Sequence, residues 1–357
     1  MPGQYPVALM VHGRSVPSLP VFKFGADVGP HVRYNWAKYL SKHDVRAFVM
    51  DLQGMGLSTR PYEMNDPRNV MVADRSKLVP PVSPTEPYPY PHPLTDTDSE
   101  LAEVRKVLDW IYDYTGVRKV HLVGYSAASF ALGRLAMTNP ERVASLFLLA
   151  PVFPPYGLSA RPIPYPVGYP PMRVVNKQEM ITSWNNDAAF GAQRQPGIDD
   201  KMWGWTAMWD STGSHWGNVS RYPNTLRWGW NKAEVQNNQN LGITVPVAIV
   251  RGNSDSQIIL PTDPTDPNRR LPANFDDPGL TEKAGPPFNA KWLYFAIPGA
   301  KKLSITIYNT GHFMPWETQH DVLHTYSAQW IKGGSVDGYS QGMFLRHWSS
   351  GQLLPTA

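Results

Sequence analysis

Apolar residues in this chain gather in short runs closed by turn-forming residues, the pattern of strands buried on both faces. The first run, 6–11, stops at His12-Gly13, and the second, 45–50, stops at Asp51 and the turn-rich Gly54-Met55-Gly56. Further runs occupy 119–123, 143–149, 245–251 and 301–308. Between them the period changes. Tyr34, Ala37 and Leu40 fall at helical spacing, as do Leu101, Val104, Leu108 and Ile111 behind an acidic, Ser/Thr-rich cap region at 96–100. Helices are also predicted over 127–138 and 320–330. Buried strands alternating with helices require a parallel sheet covered on both faces. The predicted class is therefore α/β, a doubly wound and mostly parallel sheet, with no internal repeat.

Three stretches break the alternation. Residues 60–93 hold nine prolines between Pro61 and Pro93, which deny donors to any helix or central strand and predict a long surface excursion. Residues 152–242 are rich in Trp, Tyr and Pro with few buried-strand signals, and 258–287 form a second loop insertion. The expected organisation is a core of 1–151 and 243–340, an aromatic-rich cap inserted at 152–242, and a C-terminal tail at 341–357.

Composition narrows the class. With 42% hydrophobic and only 17% charged residues, the chain has the profile of an ordered globular protein. Its 33 basic and 29 acidic residues are scattered, so no basic stripe marks it for nucleic acid. No apolar stretch approaches the roughly 18 residues of a membrane span, and the first residues lack the pattern of a signal peptide. The compartment stays open. The absence of cysteine removes disulfides, thiolate metal sites and a Cys nucleophile.

The sharpest local signal is Val120-His121-Leu122-Val123-Gly124-Tyr125-Ser126-Ala127-Ala128, a buried strand running through Gly-x-Ser-x-small into a helix. Strand and helix pack closely there, so the positions two before and two after the serine must be small, and Gly124 and Ala128 are. A serine hydroxyl is nearly inert at neutral pH, so it needs an imidazole to take its proton and a carboxylate to orient that imidazole. After the run at 245–251 comes Gly252-Asn253-Ser254-Asp255, which offers Asp255 as the acid; after 301–308 comes Asn309-Thr310-Gly311-His312, which offers His312 as the base. Charge on a tetrahedral intermediate needs backbone N–H donors. Ala127 is expected to supply one and Arg14, just past His12-Gly13, the other, with its side chain free to contact substrate; Ser15 is the neighbouring alternative.

In this order, His12-Gly13, Asp51 with Gly54-x-Gly56-x-Ser58, Gly124-x-Ser126-x-Ala128, Gly252-x-x-Asp255 and Gly311-His312 resemble the α/β-hydrolase superfamily over about residues 7–330, in its serine esterase and lipase-like branch. Ala128 stands where the family more often has glycine, and the core begins at what corresponds to the family's third strand. The resemblance implies an esterase acting through an acyl-serine, without a cofactor. Amide cleavage and carbon-carbon cleavage of a β-diketone use the same triad, and a non-catalytic ligand-binding receptor is the alternative from another class. Serine at position 126 argues against the branches that use aspartate there.

Trp184, Trp203, Trp205, Trp209, Trp216, Trp228 and Trp230 suggest the substrate. About half are expected in the core of the cap and the others around an apolar cleft over Ser126, which would favour a small or polymeric ester with a hydrophobic or aromatic portion. His320 and His324 share a helix face, but the zinc-protease glutamate and a third ligand are missing, so no metal is expected. Oligomeric state is not legible.

Overall fold

The structure, a computed structural model, describes residues 5–25, 34–188, 192–255, 262–263, 266–270, 290–347 and 349–356. Most of the expected insertion at 258–287 lies outside the described residues. Strands β1 (Val7–Val11), β2 (Arg46–Met50), β3 (Val120–Tyr125), β4 (Val143–Leu149), β7 (Val247–Gly252), β10 (Lys302–Ile307), β11 (Gly342–Arg346) and β12 (Leu353–Pro355) form one sheet in the order β12-β11-β10-β7-β4-β3-β1-β2. Every neighbouring pair is parallel except β11 with β12. Five of the six strands predicted from apolar runs, all but β2, lie inside the sheet, where Leu9, Leu122, Leu146, Ile249 and Ile305 are fully buried.

Helix α1 (Ser18–Phe22) follows β1, and α2 (Trp36–Lys42) fills the predicted helical stretch before β2. Helix α3 (Thr97–Thr115) begins at a reciprocal cap: Asp96 accepts from the Ser99 N–H at 2.8 Å, and the Ser99 hydroxyl accepts from the Asp96 N–H at 2.8 Å. It packs with α4 (Ala128–Thr138). The last helix, α10 (His320–Gly333), packs on α2, where the Trp36 indole N–H donates to Ser327 Oγ at 2.7 Å. No helix among the described residues is long and apolar enough to cross a membrane.

Residues 341–357, expected as a tail, instead add β11 and β12 to the sheet. The apolar run there is only Met343-Phe344-Leu345, too short to announce a strand. At the opposite end, β2 is the edge strand, with no outer neighbour among the described residues.

The proline-rich excursion is more than surface. It folds into 3₁₀ turns at Tyr62–Asn65, Pro67–Asn69 and Val72–Lys77, and it shares a second apolar cluster with an antiparallel pair, β5 (Met172–Asn176) and β6 (Val219–Pro223). Prolines leave carbonyls without partners, and the buried Arg75 guanidinium gathers four: Val70 at 3.0 Å, Ser83 and Glu86 at 2.7 Å, and Arg68 at 2.5 Å. Beside it, Asp74 pairs with Arg173 of β5 at 2.9 Å.

Between β4 and β7 the chain also forms α5 (Lys177–Asp187), α6 (Ile198–Ala207), α7 (Ser211–His215) and α8 (Lys232–Gln236). A buried ion pair, Arg221 with Asp210 at 2.7 Å, ties β6 to the start of α7. A short pair, β8 (Thr262–Asp263) and β9 (Asp266–Arg270), and a helix α9 (Ala290–Ala296) precede β10.

Candidate active site

Parallel pairing puts the carboxyl ends of β1, β3, β7 and β10 at one edge of the sheet, so the loops after them meet there. Ser126 follows β3 in a sharp turn, with φ of 54°, a left-handed conformation that costs a non-glycine residue on the order of 1 kcal/mol. The turn is held by the Ser126 N–H donating to the Leu149 carbonyl at 2.9 Å and by the Val152 N–H donating to the Ser126 carbonyl at 3.2 Å. A Cβ at Gly124 would stand 2.9 Å from Leu132 and 3.4 Å from the Ala128 Cβ, which is why both positions flanking the serine are small.

The three residues selected from sequence come together. His312 Nε2 lies 3.0 Å from Ser126 Oγ, and its Nδ1 lies 3.0 Å from Asp255 Oδ2. All three are buried. The loops that carry the acid and the imidazole are stitched to each other, since the Asn253 N–H donates to the Ile307 carbonyl at 3.0 Å and the Ser254 N–H to the Thr310 carbonyl at 2.9 Å. Gly252 is required at this seam, because a Cβ there would meet the Thr310 carbonyl oxygen at 2.3 Å.

His12 organises the remaining loop. The Leu52 N–H donates to its Nε2 at 2.9 Å, so the neutral ring carries its proton on Nδ1 and donates to the Gly13 carbonyl at 2.6 Å. That fixes the turn leading to Arg14. Arg14, Ser15 and Ala127 all line the cavity that contains Ser126, and neither the Arg14 nor the Ala127 amide has an acceptor among the described residues.

Several residues that sequence reasoning passed over also belong here. The His312 N–H donates to Asp187 Oδ2 at 2.8 Å, and the Gly311 N–H donates to Glu317 Oε2 at 2.8 Å. Glu317 Oε1 accepts from Trp184 Nε1 and from Gln193 Nε2, each at 3.0 Å. Tyr125, the residue before the serine, donates its phenol to the His312 carbonyl at 3.0 Å. Burial alone lowers the His312 pKa, but Asp255, then Asp187 and Glu317, outweigh it, and the net direction is upward from 6.5. Burial pushes Glu317 up to about 7 against the hydrogen bonds it accepts.

The cavity over Ser126 has a volume of about 370 Å³, and its walls include Val16, Phe130, Val152, Val175, Met180, Tyr222 and Phe313 together with Arg14, Glu179 and Arg227. None of the seven tryptophans is among its lining residues. Three of them are engaged elsewhere: Trp184 stacks on Phe313 at 5.2 Å, Trp230 donates to the Val152 carbonyl at 3.1 Å, and Trp205 meets Phe24 edge-on. His320 and His324 are core rings, with His320 Nδ1 bonded to the Glu317 carbonyl at 2.7 Å and His324 stacked on Trp36. Among the described residues no cluster of three or more His, Asp or Glu could hold a metal ion.

The family model for the alpha/beta hydrolase fold matches residues 11–272. The chain belongs to the α/β-hydrolase family. No curated protein matches this hydrolase. Among solved structures, the hydrolase is similar to carboxylesterase CesB from Bacillus subtilis (12% identity, 94% of this chain and 86% of that one, TM-score 0.48). It is likewise similar to 2-hydroxy-6-oxo-6-phenylhexa-2,4-dienoate hydrolase from Rhodococcus sp. strain RHA1 (12% identity, 89% and 88% covered, TM-score 0.46). A third likeness is to a serine hydrolase from the hydrocarbon-degrading bacterium Cycloclasticus zankles (12% identity, 93% and 92% covered, TM-score 0.49).

Proposed function

We propose that this hydrolase cleaves carboxylic esters through an acyl-enzyme on Ser126. The observation that carries the reading is the unbroken chain from Ser126 Oγ through both nitrogens of His312 to Asp255, each link 3.0 Å long. His312 takes the serine proton as Oγ attacks the ester carbonyl, then returns it to the departing alkoxide; Asp255 holds the ring and stabilises its transient charge. The amides of Ala127 and Arg14 receive the oxyanion. Water then repeats the sequence on the acyl group, so no cofactor is needed. Residues 152–242 act as the cap over the site, and the apolar walls given by Val16, Phe130, Val152 and Phe313 suit the hydrophobic or aromatic part of the ester.

A fluorophosphonate probe followed by peptide mass spectrometry tests the nucleophile, and stopped-flow release of nitrophenol from 4-nitrophenyl esters tests the acyl-enzyme. The expected result is modification at Ser126 alone and a burst equal to the enzyme concentration. Labelling elsewhere, or steady nitrophenol release that persists in Ser126→Ala, would defeat the reading.

A further inference from the structure

Charge in the cavity is not balanced. Glu179 at its wall is engaged by Lys77 at 2.6 Å, and Arg227 is engaged by Glu100 at 2.8 Å. Arg14, one residue past the Gly13 turn, pairs with no carboxylate among the described residues; its exposed guanidinium stands 5.8 Å from the Tyr222 ring centroid. Arg227 adds to the same side. Only its Nη2 reaches Glu100, its Nε is buried without a partner, and the guanidinium lies 5.1 Å over the Phe130 ring, fixed in place. Both cations border the turn that presents Ser126 and Ala127, in a cavity partly screened from water, where a charge-charge contact is stronger than on an open surface.

We infer that the ester this enzyme selects carries a carboxylate, with Arg14 as the specificity-determining residue that binds it and Arg227 as a fixed positive wall beside it. This rests on the proposed esterase reading. An acid-bearing substrate would gain a charge-assisted hydrogen bond that its neutral counterpart lacks. The cavity of about 370 Å³ sits at the small end for ligand sites, which suits a compact half-ester better than a long acyl chain.

The test uses pairs in which the carboxylate is either free or capped as its methyl ester, with the acid on either side of the scissile bond. One pair is 4-nitrophenyl hydrogen adipate and its methyl ester; the other is 3-carboxyphenyl butyrate and its methyl ester. The readout is the ratio of kcat/KM, acid over ester, so that any change in overall rate cancels. At least one pair is expected to give a ratio of about 10 in the parent, falling toward 1 in Arg14→Gln, below 1 in Arg14→Glu, and shrinking as salt is raised. Ratios near 1 for both pairs in the parent overturn the inference, as does a high ratio that survives Arg14→Glu. Calorimetric titration of Ser126→Ala with the same four compounds separates the two readings. Tighter binding of the acids without turnover by the parent would remove the esterase reading and keep the anion site; equal binding with turnover would do the reverse.

Discussion

The sheet edge that presents Ser126 and the layer that covers it are built by different rules. At the edge, each member of the proposed triad sits a few residues past a largely buried strand, and its position follows from parallel pairing: Ser126 comes after β3, Asp255 after β7 and His312 after β10. In the covering layer, a small apolar cluster is supplemented by buried polar anchors, Arg75 on four carbonyls, Arg221 on Asp210 and Asp187 on the His312 N–H.

Substitutions can set the two regions against each other. The largest effect belongs to the edge: Ser126→Ala should lower kcat by on the order of 10³-fold or more while leaving the thermal unfolding midpoint within about 3 °C, as steady-state assays and calorimetry would show. The next belongs to the cover. Arg221→Met strands Asp210 in the interior and should cost about 3–5 kcal/mol in urea unfolding, with early loss of amide protection between β4 and β7. If protection is instead lost across the sheet at once, the cover does not fold as a separable layer.

A smaller effect lies where the regions touch. Asp187→Ala leaves the buried His312 N–H unpaired and should cost about 1–3 kcal/mol in stability, with a larger proportional loss in kcat than in ligand binding. The smallest effects are electrostatic. Because the His312 pKa is raised and the ring must be neutral to accept the serine proton, kcat/KM should fall on the acid side with a midpoint above 6.5. Asp187→Asn removes a nearby negative charge and should move that midpoint down; an unmoved midpoint would show the carboxylate to be a hydrogen-bond acceptor only. Glu317, raised from 4.5 to about 7, binds its proton more tightly in the fold, so its contribution favours the folded state at low pH and is lost as pH rises through about 7. Glu317→Gln should therefore flatten the decline of the unfolding midpoint across that range.

The same contrast explains what could be read from the chain. Ser126, Asp255 and His312 were legible because each follows an apolar run long enough to identify a strand, and because small residues surround the serine for steric reasons. Asp187 and Glu317 carried no signal, since their partners, the His312 and Gly311 amides and the Trp184 and Gln193 side chains, form no sequence pattern with them. The tryptophans misled for a related reason: sequence records an aromatic ring without recording whether its indole N–H finds an acceptor inside, as those of Trp184 and Trp230 do. Strands β11 and β12 escaped because the apolar runs in them are short and flanked by Gly, Arg and His.

Asp187 closes α5 and grips the main chain of residue 312, which has a consequence for turnover. On the proposed mechanism, any movement of α5 large enough to open the cavity would drop that grip and displace His312 at the same time.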